Sequence, residues 1–490
     1  MVRKVVAALA LPLLTAGLAH AQAPTPGPVE VQPLAPAGMQ VQSLSALDLF
    51  SAGSANTGLP ADLWRGTSAP LVRDILPTLG AKPMSPAAAG LAKRLLATGA
   101  AAPEGAGDDA ELAGARVKGL LALGDVDAAH AIIDRTPNLS ASATLSQAAA
   151  EAALIDGDDD KACRIGEAVT VDRANIYWVR LRAFCQARAG ETDAAQLSFT
   201  LAHQTRDPTY ARLMGAALGT GEPGAASLRN GLDYALSRQL KLPLDAAVAG
   251  AAPALKAKLA APPPPNPAIV GDYTEAEAST LAFLRKAKGL AEFTAAAKDV
   301  APAIAAQAQA KAVLQDPVLF ARAAVAAGDL ASAQAIRAGL TGDTVPGAGP
   351  TDLALLDALI AAAGGKVDAP TLDRVVERGR IDAAKSNAQP AALILAAFGG
   401  AMGPEARAEF AGFATPRGAA LPARLTALDA AAEAGLKGEA ALLALSVADV
   451  GAAGPAPADR ARIVQALRRA GLETDARAFA VEGLLLLQVK

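Results

Sequence analysis

The chain has 490 residues, a formal net charge of −3 and an aromatic content of only 3%. This mild acidity argues against nucleic acid or an anionic membrane surface as the main partner. The whole chain contains only three histidines, so imidazole-based metal binding or acid–base chemistry has little material. Alanine, about a quarter of all residues, has the highest helix propensity and lets helices approach closely. Val, Ile and Thr do not form alternating runs, so we predict an all-α fold.

The N-terminus has the composition of a secretory signal peptide. Arg3 and Lys4 precede an apolar run from Val5 to Leu18, which ends in Ala19-His20-Ala21. The basic start, the short apolar run and the A-x-A pattern predict cleavage after Ala21. The run is shorter than the ~20 residues of a membrane span, and no uncharged apolar run of that length follows. We therefore expect export, without a transmembrane span, to a bacterial periplasm.

A glycine followed five residues later by an alanine recurs along the chain. The first copies lie 33 residues apart, and the later ones 35 or 36 apart when Gly400, whose alanine comes one place late, is included. The turn glycines are Gly124, Gly157, Gly190, Gly328, Gly364, Gly435 and Gly471. The alanines that follow them are Ala129, Ala162, Ala195, Ala333, Ala369, Ala440 and Ala476.

The physical chemistry of a helical hairpin explains this interval. Glycine ends a helix at low cost in the left-handed conformation. The Asp, Glu, Ser or Thr residues that often follow can cap the next helix. The alanine would then lie where the second helix presses on the first. An apolar residue comes three positions later in most copies; Ser198 is the exception, and there Phe199 is expected to take the role.

The pattern resembles the tetratricopeptide repeat, a helix-turn-helix unit of about 34 residues with Gly at the turn and Ala early in the second helix. The large aromatic residue expected in the first helix is missing from most copies. The resemblance implies a TPR-like solenoid of stacked helical hairpins with an atypical N-terminal helical cap. A non-repetitive helical bundle is the alternative.

Composition divides the chain into regions of different kinds. The run of prolines from Pro262 to Pro265 cannot continue a helix, because proline lacks the N–H donor. We predict a signal peptide (1–21), a disordered Pro-rich lead-in (22–43), a helical cap region (44–110), a first solenoid segment (111–260), a Pro-rich linker (261–268) and a second solenoid segment (269–490). Trp64 is expected to be buried in the cap.

The two cysteines, Cys163 and Cys185, fall on helices that should be antiparallel neighbours. In an oxidising compartment an even pair favours a disulfide. Buried free thiols remain an alternative, as does a redox-active pair, although the chain has no Cys-x-x-Cys motif.

Several charged groups have both a functional and a structural interpretation. Asp156, Asp158, Asp160 and Glu167 have the spacing of a calcium loop, but Lys161 replaces the glycine that the loop requires. Helix capping is the favoured role of these acids.

The remaining charged groups are best explained as surface features. His130 and His203 are expected at surface or groove positions. Arg460, Arg462, Arg468 and Arg469 form a small basic cluster that is interpreted as a solvated face, with a docking patch for an acidic partner as the alternative. No catalytic motif occurs, so no catalytic, cofactor-binding or metal-binding residue is predicted.

The favoured function is that of a non-enzymatic scaffold or adaptor whose helical groove binds a protein or peptide partner. One alternative is a helical module of a peptidoglycan-related envelope enzyme, or its regulator. Another is a structural part of an envelope-spanning secretion or motor complex.

Overall fold

The computed structural model describes residues 48–202, 206–259, 273–341, 345, 347–381 and 387–488, with backbone only for 273–276. These residues form 23 α-helices and three short 3-10 segments, and they contain no β-strand beyond isolated bridges. The expectation of an all-α protein is therefore confirmed. The proposed signal peptide, the lead-in, the linker and His203 lie outside the described residues.

The helices before the Pro-rich region are α1 (Ala69–Ile75), α2 (Pro86–Ala97), α3 (Ala110–Ala122), α4 (Val126–Ile133), α5 (Ala143–Asp156), α6 (Asp159–Ala168), α7 (Ile176–Arg188), α8 (Thr192–Ala202), α9 (Pro208–Ala217), α10 (Gly231–Gln239) and α11 (Pro253–Leu259). The pairs α3–α4, α5–α6 and α7–α8 are helical hairpins that pack in succession. The chain then turns back, so that α10 packs on α5, and α11 packs on both α3 and α5.

The later helices are α12 (Tyr273–Lys286), α13 (Gly289–Gln309), α14 (Pro317–Ala327), α15 (Leu330–Ala338), α16 (Pro350–Ala363), α17 (Ala369–Ile381), α18 (Ala388–Ala397), α19 (Pro404–Ala411), α20 (Pro422–Glu433), α21 (Lys437–Ala448), α22 (Pro457–Arg469) and α23 (Glu473–Leu486). The pairs α12–α13, α14–α15, α16–α17, α20–α21 and α22–α23 again pack as hairpins, whereas α19 packs on α17. Helices α14, α16 and α18 are in contact in turn.

Most of the predicted turns have the expected backbone conformation. Gly124, Gly157 and Gly190 have φ between 80° and 86°, and Gly328, Gly435 and Gly471 have φ of 89°, 67° and 78°. After three of these glycines an aspartate caps the next helix, for example Asp329, whose carboxylate accepts the Ser332 N–H at 3.0 Å. The alanine four residues after the cap position is fully buried in all six copies: Ala129, Ala162, Ala195, Ala333, Ala440 and Ala476.

The prediction for Gly364 and Ala369 was wrong. Gly364 has helical backbone angles, and the left-handed residue is its neighbour Gly365, with φ of 86°. Lys366 and Val367 lie between Gly365 and the helix cap Asp368. The fully buried position four residues after the cap is therefore Leu372, and Ala369 is only half-buried. In the third hairpin Ser198 is itself buried, and Phe199, which was expected to take its place, is only half-buried. The buried Ser198 hydroxyl donates to the Gln186 side chain at 2.7 Å.

The arrangement differs in one respect from a linear stack, in which each hairpin contacts only its neighbours. Helix α23 packs not only on α22 but also on α13, α16 and α18. Helices α1 and α2 of the predicted cap contact α21, and α2 also contacts α23 as well as α3. The predicted cap therefore contacts both the first hairpin and the C-terminal helices. A cap of a linear stack would cover only the hairpin at one end.

Two apolar cores result from this packing. The larger one runs through the cap, the first hairpins and all of the later helices, and includes Trp64, which is fully buried as expected. The smaller one lies among α5 to α10 and contains Trp178, Phe184 and Tyr210. No helix in the described residues is both long and apolar enough to cross a membrane.

Candidate functional site

A groove of about 730 Å³ lies on the first helices of the three consecutive hairpins, α3, α5 and α7. Lys118 and Ala122 lie on α3, Thr144, Ala148, Glu151 and Ile155 on α5, and Tyr177 and Arg180 on α7. Residues three or four apart share a helix face, so one continuous face of each helix lines the groove. We refer to this cavity as the α3–α5–α7 groove.

Helices α3 and α5 run parallel, and this keeps their groove faces in register. The Glu111 carboxylate on α3 accepts hydrogen bonds from Ser142 and Thr144, and three residues on, Gly114 lies against Leu145. A Cβ atom at Gly114 would be only 2.7 Å from the Leu145 backbone nitrogen, so glycine is what allows the two backbones to approach. Lys118 and Glu151 both line the groove beyond this close approach.

The rest of the groove wall comes from segments that fold back onto this face. Apolar side chains of Leu121, Ile155 and Leu232 line it, together with Pro253 at the start of α11 and Met84 in the loop before α2. An open, mostly apolar groove with a few convergent polar groups is the usual form of a binding site.

A network of two arginines and two aspartates lies at one end of the groove. Arg180 contacts Asp207 at 3.1 Å, Asp207 contacts Arg229 at 3.0 Å, and Arg229 contacts Asp233 at 2.7 Å. The Arg180 guanidinium also lies over the Tyr210 ring, 5.0 Å from its centroid. Burial raises the pKa of Asp207, but the hydrogen bonds from the Tyr210 N–H and Arg229 outweigh this, and the net pKa is lowered. These four charges neutralise one another.

Glu151 is different, because no described lysine or arginine forms an ion pair with it. Its carboxylate accepts the Gly231 N–H, at the start of α10, at 2.7 Å and interacts with the Tyr177 hydroxyl. Burial raises the pKa of Glu151; the Gly231 N–H and the Tyr177 hydroxyl act in the opposite direction, and the nearby Asp233 charge raises the pKa further. Burial likewise raises the pKa of the Tyr177 phenol well above its usual range.

The groove is not recognisable from the sequence. A signal for Glu151 was present, since it is a single acid in the otherwise apolar stretch Ala148–Ile155. The two tyrosines gave no comparable signal. Tyr177 and Tyr210 are far apart in sequence, and only the fold brings them to the same cavity.

The predicted cysteine pair is bonded. The sulfur atoms of Cys163 on α6 and Cys185 on α7 are 2.02 Å apart, and the Cα atoms are 5.7 Å apart. The disulfide joins the second hairpin to the third and lies, half-buried, at a smaller cavity of about 440 Å³.

The acidic turn before α6 is used for capping and ion pairs. Asp158 accepts the Lys161 N–H at 2.9 Å. Asp159 pairs with Arg188 and Arg238, and Asp156 pairs with Lys258 and approaches His130. Helix capping by Asp158 is therefore the observed role.

The arginines near the C-terminus do not all belong to a solvated face. Arg462, Arg468 and Arg469 are partly exposed and each has a carboxylate partner. Arg460 is buried in an ion pair with Glu482, so the interpretation of the cluster as a solvated face was wrong for Arg460.

Compared with known proteins, the chain matches no family model, no curated protein and no solved structure.

Proposed function

We propose that this protein is an exported, non-enzymatic binding protein that holds a segment of a partner protein in the α3–α5–α7 groove. The observation that carries the proposal is the groove itself. The first helices of three successive hairpins line it, and the inner face of stacked hairpins is the surface on which repeat proteins bind extended partners.

The hairpins support a TPR-like solenoid as the basis of this function. Six turns combine a left-handed glycine with a fully buried alanine four residues after the helix cap. In the later part of the chain, packing of α23 against α13, α16 and α18 covers surfaces that an open solenoid would expose. This favours the first three hairpins as the binding part and the later helices as a support.

Two features support export. The N-terminal sequence has the pattern of a signal peptide with cleavage after Ala21. The Cys163–Cys185 disulfide is typical of an oxidising compartment. Protein recovered from the periplasm of an expressing bacterium should begin at Gln22, and a retained N-terminus in the cytoplasm would contradict this part of the proposal.

Site-specific crosslinking tests the groove. A photoreactive phenylalanine analogue at Gln147, which is half-buried in the groove, should crosslink to a partner in cells. The same analogue at Gln196, exposed on α8, is the matched control. Filling the groove with Gln147→Trp should abolish capture of that partner, whereas Gln196→Trp should not. Equal crosslinking from both positions would contradict the proposal.

A further inference from the structure

All but one of the carboxylates that line the α3–α5–α7 groove form an ion pair with an arginine. Three carboxylates line it: Glu151, Asp207 and Asp233. The two aspartates share Arg180 and Arg229 as ion-pair partners, whereas Glu151 has only an N–H group and a phenol beside it in the described part of the chain. The groove therefore has one acid whose charge the protein leaves without a cation.

The position of Glu151 makes this imbalance unfavourable in the empty groove. Glu151 is half-buried, and helix α10 begins so close to it that a Cβ at Gly231 would be 2.8 Å from Glu151 Oε2. The surrounding wall is largely apolar. Charges removed from water in this way are screened little by solvent ions.

Two lysines line the groove; Lys82 pairs with Asp449 at 3.3 Å, and Lys118 is in the opposite situation to Glu151. Lys118 is exposed and forms no ion pair with the described residues. Water already stabilises its ammonium group, so an anionic ligand would gain little there. A cation at Glu151 would gain more, because it would meet a charge that water solvates poorly.

We propose that the groove selects a peptide segment with a basic side chain flanked by small or aliphatic residues, and that the basic group pairs with the Glu151 carboxylate. The flanking residues pack on the wall formed by Leu121, Ile155 and Leu232. This inference rests on the proposed function, and it specifies the chemistry of the segment that the groove binds.

Three capped nonapeptides of alternating alanine and leucine test the charge requirement. They carry lysine, norleucine or glutamate at the centre, and acetyl and amide caps remove the terminal charges. We expect the wild-type protein to bind the lysine peptide at least about tenfold more tightly than the norleucine peptide, and the glutamate peptide most weakly. Isothermal titration calorimetry measures the three affinities.

The variant Glu151→Gln separates recognition from structure. Glutamine keeps an oxygen that can accept the Gly231 N–H, so the contact between α5 and α10 is retained. The variant should bind the lysine and norleucine peptides equally. Its affinity for the norleucine peptide should be no lower than that of the wild-type protein. Glu167→Gln, at an exposed position on α6 outside the groove, is the matched control and should keep the wild-type preference.

The outcomes distinguish the inference from the proposed function. If the wild-type protein binds the three peptides equally, or if Glu151→Gln still prefers lysine, the inference is wrong although the groove binds peptides. A preference for the glutamate peptide would assign recognition to Lys118 instead. If no peptide binds and Gln147 yields no specific crosslink, the proposed function fails together with the inference.

Discussion

Arg460 and Glu482 form an ion pair in the interior of the protein, with 2.6 Å between Nη1 and Oε1. Their side chains are only 1% and 5% exposed. The second carboxylate oxygen of Glu482 accepts the Ala87 N–H at 2.5 Å, at the start of α2. Glycine at position 483 makes this possible, because a Cβ there would be too close to the Arg460 side chain. One carboxylate thus links α2, α22 and α23.

Breaking this pair from either side should destabilise the protein strongly. Glu482→Gln keeps an acceptor for Ala87 but leaves the Arg460 charge buried alone, and Arg460→Met leaves the carboxylate without its cation. Removal of one partner from a buried pair costs about 3–5 kcal/mol. The midpoint of urea unfolding should fall for both variants.

The exposed pair Arg65–Asp62 provides the control. Asp62→Asn should change the stability by less than about 1 kcal/mol, because water solvates both side chains. Similar urea midpoints for Glu482→Gln and Asp62→Asn would show that the buried pair does not hold the N-terminal and C-terminal helices together.

The disulfide should stabilise the contact between the second and third hairpins. The cysteines are separated by 22 positions, and closing a loop of this length stabilises a protein by about 3 kcal/mol in the chain-entropy model. The double variant Cys163→Ala/Cys185→Ala should therefore melt at a lower temperature than the oxidised wild-type protein. Dithiothreitol should lower the melting temperature of the wild-type protein and leave that of the variant unchanged. An equal effect of the reductant on both proteins would exclude the disulfide as its target.

The alanine five residues after a turn glycine should tolerate a larger side chain only after Gly364, where the left-handed residue is the next glycine. Ala333 is fully buried, so Ala333→Leu should overpack the contact of α15 and destabilise the protein by about 1–3 kcal/mol. Ala369 is half-buried, and Ala369→Leu should change the stability by no more than about 0.5 kcal/mol. The two urea unfolding curves measure the difference, and equal destabilisation would argue against a special packing role for Ala333.

This contrast also shows how far local sequence determines the fold. Gly328, Asp329 and Ala333 each have a local physical reason for their places: a left-handed turn, a helix cap and a close helix contact. Such reasons can be recognised in sequence. At Gly364 and Gly365 two adjacent residues are equally suited to the turn, and the sequence pattern does not contain the information that selects the second.

Contacts between distant parts of the chain were beyond sequence reasoning. Arg460 and Glu482 are charged residues on helices, and such residues usually face water. They are covered because α2, which lies almost 400 residues before Glu482 in the chain, packs against this part of the protein. The α3–α5–α7 groove was missed for the same reason, since α10 and α11 complete it only by folding back. The helices and turns are local, whereas the site depends on which surfaces meet.

Glu151 should make the protein less stable at neutral pH than at acidic pH. Burial raises its folded-state pKa above the ordinary value of 4.5. Below pH 4.5 both the folded and the unfolded state hold the proton, so the difference contributes nothing. As the pH rises through the folded-state pKa, the unfolded state has already lost its proton, and the folded state becomes less stable.

Glu151→Gln should remove this penalty and leave the other groups at the groove unchanged. Those groups are the phenols of Tyr177 and Tyr210, whose raised pKa values keep them neutral, Asp233 paired with Arg229, Arg180 paired with Asp207, Lys82 paired with Asp449, and Lys118. The variant should therefore have a higher melting temperature than the wild-type protein at pH 7, and the two should converge below pH 4.5. Differential scanning calorimetry across this range measures the difference. A variant that melts below the wild-type protein at pH 7 would mean that the Glu151 carboxylate, held by the Gly231 N–H at the start of α10, stabilises the fold in its charged form.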